Sequence, residues 1–294
     1  MSPAPKSSGI VRLQRLEGGY LELPMHLFVK GASTENIRRV PSMCWLITHE
    51  PSQTKIVFDL GVRKDIENYP PAVHERLKTV ILTDVQQDSI TSLEQAGINP
   101  KSDVDSVIIS HLHWDHIGDP SGFGPCTRFI IGPGAKTLIE GKDAYPTNKA
   151  GHFDSNALPH DRTEELPPSS EASYWTSLEP FSAVHDWFGD GSMYVVDAPG
   201  HLPGHLNLLL HTGSDKWVYL AADSTHDPSI LSGSAETAIY TDPHTGLFKC
   251  AHANKEMADI HLGLVRKLKE LLPVEVILAH DHSWLEANPD RFKS

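Results

Sequence analysis

Short apolar runs punctuate most of the chain, and they predict strands. Residues 44–48 and 55–59 flank the turn-like Glu50-Pro51-Ser52-Gln53 and read as a hairpin. Residues 72–99 are more helical in pattern, ending near Gly97. The run 107–110 is a short buried strand that leads straight into a histidine-rich segment. Residues 129–131 form another strand, followed by Gly132-Pro133-Gly134 and a helix over 135–141. Strands resume at 193–197, 206–211 and 217–222. Leu264, Val265, Leu268, Leu271 and Leu272 then repeat at helical spacing over 260–272 until Pro273 stops them. The run 274–279 is a last strand, delivering His280.

Two stretches break this rhythm. Residues 142–190 are crowded with Pro, Ser, Asp, Glu and His, with Tyr145, Phe153, Tyr174, Trp175, Phe181, Trp187 and Phe188 scattered among them. Residues 227–256 are the second irregular stretch. Long excursions in compact domains are usually functional or disordered, and the aromatics argue against disorder. The first stretch therefore reads as a lid or pocket wall, or as an excursion packed on the core. Residues 1–9 read as a flexible tail. No composition break divides residues 10–294, which are expected to form one layered α/β domain with pocket-forming excursions near 142–190 and 227–256.

Composition narrows the classes. Thirty-eight acidic and 25 basic residues among 294 leave a net charge of −13. Such a surface repels phosphate backbones, so nucleic acid is not an expected partner. Cys44, Cys126 and Cys250 are far apart and odd in number, which suggests neither a disulfide framework nor a thiolate metal site. The N-terminus lacks an apolar export region, and no apolar run reaches the ~18 residues of a membrane span. A cytoplasmic protein with no membrane partner is the expectation. The unusual figure is 18 histidines, since imidazole is the commonest metal ligand.

Several of them fall into ligand spacing. In the segment His111-Leu112-His113-Trp114-Asp115-His116, residues i and i+2 of an extended chain point the same way, so His111 and His113 can grip one ion. After a turn, Asp115 and His116 can face a second. Gly118 permits a tight backbone beside them. Imidazole and carboxylate suit zinc, and also iron or manganese. Further ligands are expected at strand ends: His201 after 193–197, Asp223 after 217–222 and His280 after 274–279. His205 competes with His201, and His282 with His280. Asp223 is the candidate for bridging two ions about 3.5–4 Å apart.

These motifs resemble the metallo-β-lactamase superfamily: His111-Leu-His-Trp-Asp-His116-Ile-Gly118, Ala198-Pro-Gly-His201-Leu-Pro-Gly-His205, Ala222-Asp223 and Ala279-His280. Phe58-Asp59-Leu60-Gly61 resembles that family's early Asp-Thr-Gly element, with Leu60 in place of Thr. The resemblance covers roughly residues 40–285. It implies an αββα sandwich of two mixed β-sheets flanked by helices, with two metal ions at one edge. It assigns His111, His113 and His201 to the first ion and Asp115, His116 and His280 to the second. Asp223 would bridge them, and Asp59 would steady a ligand from behind.

Within the superfamily the pattern is most similar to the dinuclear zinc lactonases of the acyl-homoserine-lactone type. That implies a hydrolase opening a cyclic ester by attack of a metal-bridging hydroxide, with a small cyclic molecule as substrate and a homodimer as an admissible assembly. Asp223 or Asp115 would pass the proton to the leaving group. Such lactonases often carry Tyr three residues after the bridging Asp, where this chain has His226. His226 is then the candidate donor to the developing oxyanion. The same departure opens the alternatives of a cyclic amide or a carbamate, and a thioester hydrolase on the same fold is a further alternative. A nuclease disagrees with the net charge. A mono-iron dioxygenase disagrees with the complete ligand set.

Overall fold

Why so many of the strand runs are apolar without alternation is clear from the computed structural model, which describes Pro5 and residues 7–213, 215–242 and 246–293. Most of the tail expected over 1–9 lies outside the described residues. Ser8 and Gly9 are docked, with Ser8 N donating to Asp190 O and Gly9 O accepting from His211 Nδ1.

Two six-stranded sheets face each other. The first runs in the order Val11–Leu16, Cys44–His49, Lys55–Phe58, Ser106–Ile108, Arg128–Ile131, Thr163–Glu165. Its first three strands are antiparallel and the rest parallel. The second runs Thr176–Leu178, Phe181–Asp186, Met193–Asp197, Leu206–Gly213, Lys216–Ala222, Val274–Leu278, antiparallel except for its last pair.

Both sheets are covered on both faces. Ile47, Phe58, Ile108 and Ile130 meet Val195, Leu208, Leu220 and Ile277 in the space between the sheets. Their chain neighbours point outward. Val57, Val107, Ile109 and Phe129 pack against Leu93 and Ile139 of the helices Ser89–Gln95 and Lys136–Ile139. Val196, Leu209, Tyr219 and Ala221 pack against Leu262, Val265 and Leu268 of the helix Lys255–Leu271. A strand buried on both faces needs no polar positions, so its run is continuous. The layer order is helix, sheet, sheet, helix, as the resemblance implies.

The expected hairpin joins Cys44–His49 to Lys55–Phe58. Residues 72–99 differ from a simple helical stretch. Helices Pro71–Thr79 and Ser89–Gln95 are separated by Leu82–Asp84, a three-residue edge strand paired to Tyr20–Pro24. Three residues are too few to display a period, and the partner lies some sixty positions upstream. The irregular stretches also hold strands: Thr163–Glu165, Thr176–Leu178 and Phe181–Asp186 in the first, and the hairpin Ile239–Thr241 with Phe248–Cys250 in the second. Among the described residues, no helix is long and apolar enough to cross a membrane.

The sheets are tied together where strands 44–49, 106–108, 206–213 and 274–278 end or begin. Leu206 N donates to Ser110 O at 2.8 Å, and Met43 N to Ala279 O at 3.0 Å. Beside this seam lies a buried polar knot. Asn207 Oδ1 accepts from His261 Nε2, Ser224 Oγ and Tyr219 Oη, while its amide donates to Leu206 O and Ala221 O. It anchors the helix Lys255–Leu271 to the turn that carries Asp223.

Burial pushes the His261 imidazole down to about 3, with a smaller contribution from His205. The folded chain thus refuses a proton that the unfolded chain accepts below about pH 6.5. Stability from this group is full above that pH and is lost as the pH falls toward 3, by up to about 1.4 kcal/mol per pH unit. Urea unfolding of His261→Gln should show a shallower acid dependence than the native chain. Equal slopes would show that His261 does not control it.

Candidate metal centre

Strand ends from both sheets deliver the polar side chains to one place. His111 and His113 follow Ser106–Ile108, His201 follows Met193–Asp197, Asp223 follows Lys216–Ala222, and His280 follows Val274–Leu278. Asp115 and His116 lie on the one-turn helix Trp114–Ile117. All are buried except His113, which is half-buried. Gly118 ends that turn at φ 45°, and a Cβ there would meet Leu60 at 2.6 Å. Only glycine suits that close approach.

The seven side chains form two groups. His111, His113, His201 and Asp223 make one, and Asp115, His116 and His280 the other, with donor atoms inside each within 4.8 Å of one another. In the first, His111 Nε2 lies 2.9 Å from His113 Nδ1, and His201 Nε2 lies 3.1 and 3.0 Å from them. In the second, Asp115 Oδ2 is 3.9 Å from His116 Nε2 and 3.5 Å from His280 Nε2. Asp223 reaches both. Its Oδ2 is 3.7 Å from His111 Nε2 and 3.5 Å from His201 Nε2 and His116 Nε2, and its Oδ1 is 3.3 Å from His280 Nε2.

Fixed partners behind the rings decide which nitrogen faces inward. Asp59, at φ 59°, accepts from Ser110 N at 2.6 Å, from Ser110 Oγ at 2.7 Å and from His116 Nδ1 at 2.8 Å. Ser110 Oγ, its proton given to Asp59, accepts from His111 Nδ1 at 3.0 Å. His280 Nδ1 donates to Pro41 O at 2.8 Å. His201 Nδ1 faces His252 Nδ1 at 3.1 Å. With Nδ1 committed to these acceptors, His111, His116 and His280 turn Nε2 to the centre, and His201 turns its Nε2 there opposite His252. Bare nitrogens facing one another at about 3 Å repel unless a cation lies among them. His116 Nε2 and Asp223 Oδ1 are buried and without a hydrogen-bond partner. Buried polar atoms are normally satisfied, so these donors fit divalent cations.

The electrostatics differ between the two groups. Burial, then neighbouring imidazoles, push His111 and His201 well below their usual range, and burial brings His113 to about 4. They stay neutral, as imidazole ligands must be. Burial also opposes charge on His116 and His280, but Asp223 chiefly, with Asp59 and Asp115 beside His116 and Asp115 beside His280, raises both. Burial works against the Asp223 carboxylate too, yet His280, His116 and His226 hold it well below the usual range.

The competing histidines separate cleanly. His205 Nδ1 donates to Ala198 O at 2.8 Å and its Nε2 accepts from Asp223 N at 3.3 Å, so both nitrogens serve the backbone. It belongs to neither group, whereas His201 does. His282 opens the helix His282–Ala287 and also belongs to neither. His226 is buried, with Nε2 3.1 Å from Asp223 Oδ2 and its ring 4.8 Å from that of Phe28. Sequence reading missed His252. It sits in the irregular stretch at no ligand spacing, and burial, then His226, lowers it to about 3.

A cavity of about 310 Å³ opens above the two groups. Leu23, Leu27, Phe28, Ile81 and Leu112 line it, with His152 and Phe153 from the first irregular stretch and Tyr240, Cys250 and Ala251 from the second.

Known proteins similar to this chain share its family and fold. The family described as the metallo-beta-lactamase superfamily matches residues 37–251. The monooxygenase mpaDE' of Penicillium brevicompactum is 32% identical over 94% of this chain, which spans 34% of that protein's length. The Gamma-lactamase MBL2 of Gibberella moniliformis is 36% identical over 58% of this chain and 70% of its own. Among solved structures, AiiA of B. thuringiensis, with N-decanoyl-L-homoserine bound at its active site, superposes with a TM-score of 0.70. It is 18% identical and covers 95% of this chain and 96% of its own. That likeness concerns the fold.

Outer carboxylates that orient ligand rings typically matter about 10–100-fold to metal affinity. Asp59→Asn should weaken retention of one equivalent of zinc by that order in a chelator competition, with the circular dichroism spectrum unchanged. Undiminished retention would show that Asp59 serves the fold alone.

Proposed function

The chain belongs to the metallo-beta-lactamase superfamily of metallohydrolases, and we propose that it opens a small cyclic ester, a lactone, with water. The observation that carries this reading is the cavity floor: two adjacent donor groups with Asp223 reaching both, beneath apolar walls. His111, His113 and His201 would hold one divalent cation, Asp115, His116 and His280 a second, with Asp223 between them. Zinc suits these donors, and iron or manganese are alternative occupants. Such a pair, when bound, supplies Lewis acidity toward a carbonyl oxygen and water acidic enough to ionise near neutral pH.

The chain's own groups do the rest. Asp59, Ser110, Pro41 and His252 hold the rings in one orientation, so no reorganisation accompanies reaction. Asp223 and Asp115, acceptors when ionised, take the proton released by water and return it to the leaving oxygen. His226 Nε2 donates to the carbonyl oxygen as charge develops there. Leu23, Leu27 and Phe28 exclude bulk water, which strengthens each of these interactions.

A cyclic amide is the second reading. It is favoured by the 36% identity to a protein named as a Gamma-lactamase and by His226 where lactonases of the resembling type often have Tyr.

The zinc-loaded protein should be assayed on lactones, lactams, cyclic carbamates and thioesters. The highest kcat/KM is expected on a lactone, abolished by chelation and restored by zinc. A lactam as the best substrate selects the second reading, and a thioester as the best rejects both. On the best substrate, His226→Phe should lower kcat by about 100-fold, the order reported for loss of one oxyanion donor, with zinc content unchanged. Unaltered kcat at full zinc content would remove His226 from the mechanism.

A further inference from the structure

The arginines around the site are paired, with one exception. Arg63 Nε donates to Asp65 Oδ1 at 2.6 Å, Arg39 Nη2 to Asp84 Oδ2 at 2.9 Å, and Arg38 pairs with Asp227. Lys249, on the nearby hairpin, pairs with Asp242. Arg76 lines the cavity from the helix Pro71–Thr79 and is half-buried. Among the described residues its guanidinium has no ion pair and no side-chain hydrogen bond. It is the one arginine or lysine among the residues lining the cavity, and the two acidic residues there, Asp115 and Asp223, already face the imidazoles.

A net charge of −13 would repel an anionic ligand at long range. An unpaired cation inside the pocket counters that repulsion where binding occurs. A guanidinium presents a planar fork that matches a carboxylate with two parallel hydrogen bonds. Neighbouring His152 lines the same cavity and is held below its usual range, by burial first and by Arg76 next, so it stays a neutral hydrogen-bonding group beside the guanidinium. The cavity, at about 310 Å³, lies at the small end of the range for ligand sites. It suits a compact ring rather than a long chain.

We infer that Arg76 selects substrates whose ring bears a carboxylate apart from the bond that is cleaved. This inference rests on the ring-opening reading for its reaction, but not for its binding chemistry. Arg76 acts on specificity: it touches the substituent, not the reacting carbonyl.

The test compares the zinc-loaded native chain with Arg76→Met, which keeps the side chain's length on the helix surface, and with Arg76→Lys. The substrates are γ-butyrolactone and its ring carboxylate. The native chain should favour the carboxylate, chiefly through a lower KM. The ratio of the two kcat/KM values should fall by about tenfold or more in Arg76→Met, the scale of one charge-assisted hydrogen bond, and partly recover in Arg76→Lys. A ratio the same in all three proteins overturns the inference.

Should neither lactone be hydrolysed, the ring-opening reading fails for this ring size and binding decides the role of Arg76. Calorimetry with benzoate and benzamide should show a preference for benzoate that Arg76→Met abolishes. A benzoate preference that survives Arg76→Met, or none in the native chain, overturns it.

Discussion

Five imidazoles and two carboxylates brought within a few ångströms of one another, almost wholly cut off from water, set the terms for the rest of this molecule. Such a cluster opposes folding. Burial disfavours every charge in it, and the bare nitrogens repel. It persists because the rings have no freedom to turn away. Asp59 takes three hydrogen bonds and thereby governs His116 directly and His111 through Ser110. The backbone at Pro41 does the same for His280. Those anchors are only as firm as the strand ends that hold them. The seam between the sheets, at Ser110 with Leu206 and at Met43 with Ala279, is therefore part of the site as much as of the fold.

The electrostatic pattern divides along the same line as the geometry. His111, His113 and His201 are kept neutral, while His116 and His280 are drawn toward charge by Asp223 and its neighbours. Asp223 is the group on which both halves depend, because its two oxygens face different rings. The chain shares the superfamily and its fold, and it gathers imidazole and carboxylate donors at one edge of that fold.

Much of this was legible in the residues. The strands 55–59, 107–110, 193–197 and 217–222 announced themselves as mostly apolar runs, because burial on both faces removes the polar alternation, and 274–279 did so despite Glu275. The segment from His111 to His116 was legible because its spacing is local. What lay hidden depends on distant partners. Leu82–Asp84 is a strand only because Tyr20–Pro24 lies beside it. His252 meets His201 across fifty-one positions of sequence. His205 could be separated from His201 only once Ala198 O and Asp223 N were seen to occupy its two nitrogens. Backbone partners such as Pro41 O carry no side-chain signature at all.

The division of labour between strand ends and connections has a further consequence. The donors stand on the ends of shared, doubly buried strands or directly beside them. The cavity walls hang instead from the helix Pro71–Thr79, from the loop carrying His152 and Phe153, and from the hairpin Ile239–Thr241 with Phe248–Cys250. The helix is pinned by Val73 and Leu77 in a buried cluster, whereas the loop and the hairpin carry their wall residues outside the space between the sheets. Descendants of one ancestral chain could thus exchange their appetite for one ring or another by rewriting loops, while the reactive floor passed unaltered from each to the next.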